Sequence, residues 1–272
     1  MMKGISKLLL AAGLLAAACG AKAQAGELHS FHCLNGCPAG APATNDVIVR
    51  EIYTLSSNDL TKMADWVAYR ITPETIGPSE GRDWLADPWL AKTETLTPRD
   101  YQGASNALHV DRGHQVPLAS FSGTPNAADT NILSNITPQS SALNQGPWVR
   151  LEDAERELTK RLAGPVYVYS GPLFERLMRP LPGTTSTHRV PSGYWKVIAL
   201  ADGRHTGFIF DQDTPRRAQH CAYRAPLLEI ELRARLDLFP NKASLSAGNL
   251  DAELGCTTAA PPRPAPSEIP AE

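Results

Sequence analysis

From Val47 to Phe210 the chain is cut into short β-branched and aromatic runs separated by turn residues, with one long amphipathic stretch among them. Residues 47–55, 66–71, 132–137, 166–169, 195–200 and 206–210 read as strands, because such side chains fit a pleated, half-buried surface. Residues 147–162 read as a helix. Pro147 suits the first turn, and Trp148, Leu151, Leu158 and Leu162 fall on one stripe at helical spacing. Pro226 opens a second helix reaching about Leu236. Many short strands, few helices and no βαβ alternation predict an α+β domain on an antiparallel sheet, and argue against a parallel doubly wound fold. Residues 72–100 carry Pro73, Pro78, Pro88 and Pro98 among charges and read as a long surface loop, a place where function often lies.

The ends of the chain read differently. Lys3 and Lys7 precede an apolar run, Leu8–Ala18, too short to span a bilayer. Ala23-Gln24-Ala25 is a small-x-small cleavage pattern, so residues 1–25 are expected to be a signal peptide and the product to be secreted or periplasmic, with no transmembrane segment in the mature chain. The rival reading is a lipoprotein signal, with Cys19 lipidated after Ala16-Ala17-Ala18. A single domain is expected over 26–256, its first residues, 26–45, forming an arm. The Ala/Pro-rich tail 257–272 has no periodicity and is expected to be disordered.

Export implies an oxidising compartment. Besides Cys19 the chain has Cys33, Cys37, Cys221 and Cys256, which allow three pairings. The expected one is local: Cys33 with Cys37 across a Leu-Asn-Gly turn, and Cys221 with Cys256 near the C-terminus. The alternative is a zinc site built from His29, His32, Cys33 and Cys37. Net charge is −2, and removal of Lys3, Lys7 and Lys22 with the leader leaves −5. That balance disfavours a protein that coats nucleic acid through a broad basic surface, and leaves room only for local cationic contacts at a cleft.

The chemistry-bearing residues concentrate in three segments: Asp111-Arg112-Gly113-His114, Asn131 to Gln139, and Leu143-Asn144-Gln145-Gly146-Pro147-Trp148. Most of the seven histidines must be structural or merely exposed. His114 stands apart by its acid, amide and arginine neighbours, and a neutral imidazole can take a proton from water near neutral pH. Asp111 could orient the loop or the ring, and Gly113 permits close backbone approach. From spacing alone, Asn144 is a turn or cap asparagine, Arg82 a solvated loop charge, and Glu152 with Arg156 an ordinary helix pair.

These segments, at collinear spacing, resemble the DNA/RNA non-specific endonuclease family, the secreted Serratia-type nucleases with a ββα-metal active site. The resemblance runs from about Cys33 to Cys256. It is supported by Gly81-Arg82-Asp83-Trp84, Ser170-Gly171-Pro172-Leu173 and Pro191 to Val197. It implies the same two disulfides and a sheet flanked by helices. His114 is then the general base, Asn144 the one protein ligand of Mg²⁺ (Mn²⁺ substituting), and Glu152 the holder of a metal-bound water. Arg82 stabilises the pentacovalent phosphate. Asn135 and Arg156 line the site, and Arg112 faces the phosphate or braces the loop. DNA and RNA are the implied substrates, and the family includes homodimers. Two other readings of the same residues are a catalytically silent nucleic-acid-binding protein and a phosphohydrolase for small phosphodiesters.

Overall fold

The computed structural model describes residues 27–78 and 81–256. The leader, Cys19, the start of the arm at Gly26 and the Pro-rich tail lie outside them. The elements, in chain order, are β1 (Asp46–Val49), β2 (Thr54–Asn58), β3 (Met63–Ile71), α1 (Ala104–Leu108), β4 (Val110–His114), β5 (Ile136–Ser140), α2 (Val149–Leu162), β6 (Val166–Leu173), β7 (Gly193–Ala199), β8 (His205–Asp211), β9 (Arg224–Ala225) and α3 (Leu227–Ala234). Seven strands form one antiparallel sheet in the order β1-β2-β3-β6-β7-β8-β9, while β4 and β5 pair separately. The α+β expectation is met.

Side chains alternate across a strand, so a sheet whose central strands are buried at nearly every position must be covered on both faces. That is the case here. Val67, Tyr69, Val168, Ile198, Phe208 and Phe210 face a core completed by Trp148, Leu151 and Leu158 of the α2 region. Trp66, Ala68, Tyr169, Val197 and Ile209 face a second core closed by Ile230, Phe239, Cys33 and Cys37. Among these residues stands an ion pair with no exposure. Lys196 Nζ lies 2.8 Å from the Glu155 carboxylate, and Tyr69 donates its hydroxyl to Glu155 at 3.1 Å. Lys196 also sits 4.3 Å over the Trp148 ring. The group binds α2 to β3 and β7.

Several boundaries differ from the sequence expectation. The run 47–55 is not one strand but a hairpin, because the chain turns at Arg50, whose backbone N–H donates to the Tyr53 carbonyl. The Arg50 side chain is buried against Asp87 at 2.7 Å. Asp87 in turn accepts from Ser134 and from the Trp89 backbone. The long loop is therefore pinned to the sheet rather than loose on the surface. Asp111 to His114 form a strand, and β5 begins at Ile136 because Leu133–Asn135 make a single tight helical turn first. Leu162 lies outside the buried stripe, 43 % exposed at the C-terminal end of α2.

Both expected disulfides, Cys33–Cys37 and Cys221–Cys256, are present. The zinc alternative fails. Its two cysteines are consumed by the first bridge, His29 faces Glu27, and the His32 ring is held by the Glu51 carbonyl and Thr54 Oγ1. Burial, reinforced by Arg70, lowers the His32 pKa to about 4. The folded state keeps His32 neutral, whereas the unfolded chain protonates it below its ordinary value of 6.5. Its contribution is thus complete above pH 6.5 and is lost as pH falls toward 4, on the order of 3 kcal/mol. Urea titrations at pH 7, 5.5 and 4 should show stability declining across that window, and His32→Gln should make the decline smaller.

Candidate active site

A cleft of about 590 Å³ opens where the long loop, the β4–β5 hairpin and α2 meet. Together the hairpin and helix supply a ββα arrangement. The loop contributes Arg82 and Trp84, β4 contributes Asp111, Arg112 and His114, and α2 contributes Glu152 and Arg156. Asn144 and Gln145 close the floor just before α2.

Two glycines make this geometry possible. A Cβ on Gly113 would stand 2.6 Å from the Gln139 side chain on the paired strand. One on Gly146 would stand 2.7 Å from the Arg216 carbonyl oxygen, so only glycine lets the chain pass between Asn144 and α2 at this point.

His114 is half-buried on β4, with Nε2 3.0 Å from Asn131 Oδ1. The Asn131 amide is oriented by its own NH₂, which donates to the Gly81 carbonyl at 3.5 Å. An amide oxygen only accepts, so Nε2 carries the proton and Nδ1 keeps its lone pair. Burial lowers the His114 pKa to about 4, the bond to Asn131 opposes this, and the Arg82 cation adds to it. The imidazole is accordingly neutral at physiological pH.

Asp111 does not touch His114. Its carboxylate accepts from Ser141 Oγ at 2.6 Å and from the NH₂ groups of both Asn144 and Gln145 at 2.8 Å. Turning both amide nitrogens toward Asp111 leaves the Asn144 Oδ1 lone pairs for another partner. This donor set suits a hard, oxygen-seeking cation.

Glu152 is buried on the first turns of α2. Burial raises its pKa to about 7, against the pull of Lys196, while Glu155 raises it further. The expected Glu152–Arg156 pairing is not formed. Arg156 bonds instead to Asp153 one turn earlier and to Ser120. Arg112 donates to the Pro98 carbonyl at 3.0 Å, and its guanidinium lies between the Trp84 and Tyr101 rings, 5.5 and 5.4 Å from their centroids. Arg82 is exposed at the rim.

A family model for DNA/RNA non-specific endonucleases matches residues 34–245. The chain belongs to this family. It is 46% identical to the nuclease of Serratia marcescens over 268 residues, covering 94% of this chain and 99% of that protein. It is 29% identical to nuclease C1 of Cunninghamella echinulata var. echinulata, over 80% of this chain and 92% of that one. Human mitochondrial endonuclease G is 33% identical over 59% of this chain and 57% of its own length. The solved EndoG chain in complex with EndoGI superposes with a TM-score of 0.63 at 23% identity, covering 75% and 90% of the two chains. At that identity the likeness speaks for the fold.

The cleft of this endonuclease-family chain gathers Arg82, Asp111, Arg112, His114, Asn144, Glu152 and Arg156, and leaves out Asn135. Asn135 is fully buried and spends its amide on the Val116 N–H, the Val116 carbonyl and the Thr130 carbonyl. It shapes the turn after β4 and does not line the site. The asparagine that meets His114 is Asn131, four residues earlier in the same segment. Trp84 and Gln145 also line the cleft, and both lay within the quoted motifs without being singled out.

Proposed function

We propose that this chain is an exported endonuclease that hydrolyses the phosphodiester bonds of DNA and RNA, single- or double-stranded, to 5′-phosphorylated oligonucleotides. The observation that carries the reading is the cleft itself. A neutral imidazole, an anchored amide oxygen, a buried carboxyl group and three arginines share one opening.

His114 Nδ1 takes a proton from water as the water attacks phosphorus, and the charge that forms on the ring is tolerated because Nε2–H remains bonded to Asn131. Arg112 and Arg156, held inside the cleft, and Arg82 at its rim place positive charge around a phosphate, where negative charge grows as water attacks. Glu152, poised near neutrality, can hold a cleft water and pass a proton on the leaving-group side. Mg²⁺, with Mn²⁺ as its substitute, would be held by Asn144 and would neutralise negative charge on the phosphate and the departing 3′-oxygen. Because the target is phosphate, neither base nor 2′-hydroxyl need be read. The overall negative charge fits a turnover enzyme that must release its product.

Two disulfides fit an oxidising destination reached through the leader, in the periplasm or outside the cell, with Cys19 lipidation as the variant route. Among the described residues no helix is long and apolar enough to cross a membrane. As in other members of the family, assembly as a homodimer is compatible with this reading.

Asn144→Ala tests the metal assignment without relying on turnover. Titration of the protein with Mn²⁺, followed by its EPR signal, should show affinity reduced by more than the roughly 10- to 100-fold lost when an outer-shell partner is removed. Unchanged Mn²⁺ affinity would place the ion elsewhere.

A further inference from the structure

Trp84 has no part in the chemistry above, yet its ring adjoins two residues that do. Its centroid is 5.3 Å from that of the His114 imidazole and 5.5 Å from the Arg112 guanidinium carbon. Arg112 is held on its other side by Tyr101 at 5.4 Å, and its buried Nε has no partner of its own. The indole therefore occupies the middle of a column that runs Tyr101, Arg112, Trp84, His114. The loop bearing it is fixed immediately after the ring. Leu85 donates its N–H to the Asn131 carbonyl at 3.4 Å and accepts from the Leu133 N–H at 2.8 Å. The backbone that sets Trp84 thus also sets Asn131, the hydrogen-bond partner of His114.

We infer that Trp84 is a positioning residue of the cleft, whose indole fixes the His114 imidazole relative to the Arg112 guanidinium and keeps water from that side of the imidazole. This rests on the nuclease reading for its consequence in catalysis, but the contact itself does not. A cation over an indole face is worth about 0.5–2 kcal/mol, enough to hold one arginine conformer. Misplacement of a reacting group by about 1 Å can cost about 100-fold in rate. Without the ring, solvent would reach His114 and its titration would move back up toward the ordinary histidine range. The charged groups that face His114 are Arg82 from the loop, Asp111 and Arg112 from β4, and Glu152 and Arg156 from α2. All of them remain in a Trp84 variant, so a changed titration would report the lost ring.

The test uses the disulfide-intact protein with Trp84→Ala and Trp84→Phe. The imidazole titration of His114 is followed by NMR, and kcat and KM are measured on a defined DNA duplex, from below the wild-type acid limb up to neutral pH. The expected result for Trp84→Ala is a kcat lower by about 10- to 100-fold. KM should change little, the acid limb should lie at higher pH, and the His114 midpoint should shift by the same amount. Trp84→Phe should restore most of each. A folded Trp84→Ala protein with wild-type kcat and an unmoved His114 midpoint overturns the inference. If the alanine variant does not fold, wild-type tryptophan emission decides. It should change as His114 titrates and lose that step in His114→Gln, and the absence of the step is equally fatal. Wild-type protein that shows the titration but cuts no nucleic acid would sink the nuclease reading and leave the contact standing.

Discussion

Replacing His114 with alanine is expected to lower the rate of phosphodiester cleavage by about 100- to 10,000-fold while leaving the fold intact. The side chain lines the cleft, is only half-buried, and makes one hydrogen bond, to Asn131, so little packing is lost with it. What is lost is the lone pair on Nδ1. The pH dependence of the wild-type protein follows from the same environment. Burial and Arg82 hold the imidazole pKa at about 4, so the base form is present above that value and activity falls as pH drops through it. An acid limb near the ordinary 6.5 would mean that water reaches the ring more freely than its surroundings imply. A His114→Ala variant with near-wild-type cleavage at pH 7.5 would remove His114 from the reaction.

The second large effect concerns stability. Lys196→Met is expected to destabilise the protein by about 3–5 kcal/mol, because it strands the Glu155 charge in a site with no exposure. In a domain of this size that corresponds to a fall in melting temperature of about 10 °C. Removing both charges, in Lys196→Met with Glu155→Leu, should recover most of the loss, since a buried pair replaced by apolar volume is often close to neutral. Glu155 lies one turn from Glu152 and one residue before Arg156 on α2, so the single variant should also disturb the cleft. Urea denaturation of the disulfide-intact single and double variants checks this. A loss below about 1 kcal/mol in the single variant would mean that Glu155 finds water or takes up a proton at little cost.

Much of the scaffold was legible because its signals are local. β-Branched and aromatic runs marked β3, β7 and β8, and Pro147 with the Trp148–Leu158 stripe marked α2. The hairpin hidden in residues 47–55 was not, because the turn at Arg50 carries no Gly, Pro or Asn, and the buried partner of its side chain, Asp87, lies 37 residues away. Lys196 carried no signal of its own inside the apolar run 195–200. Its meaning depends on Glu155 and Tyr69, which only the folded sheet brings beside it.

The site divides in the same way. His114, Asp111 and Asn144 were visible as residue types in a dense polar segment, but the role of Asp111 was not. It orients two amides across 33 and 34 residues and leaves the imidazole alone. Asn131 and Asn135 carry equal chemistry on paper. Asn131 meets His114, and the tight helical turn Leu133–Asn135 that follows buries Asn135 against Val116 and Thr130. No spacing rule distinguishes the two, because backbone direction at that turn decides it.

The most direct test is to incubate the purified mature protein with supercoiled plasmid and, separately, with RNA, in Mg²⁺ or in EDTA, alongside His114→Ala. The expected result is that both polymers are cut, that EDTA stops cleavage of both, and that the His114 variant fails on both. Failure of the folded, disulfide-intact wild-type protein to cut either polymer in Mg²⁺ would contradict the nuclease reading and point to a silent nucleic-acid-binding member of the family.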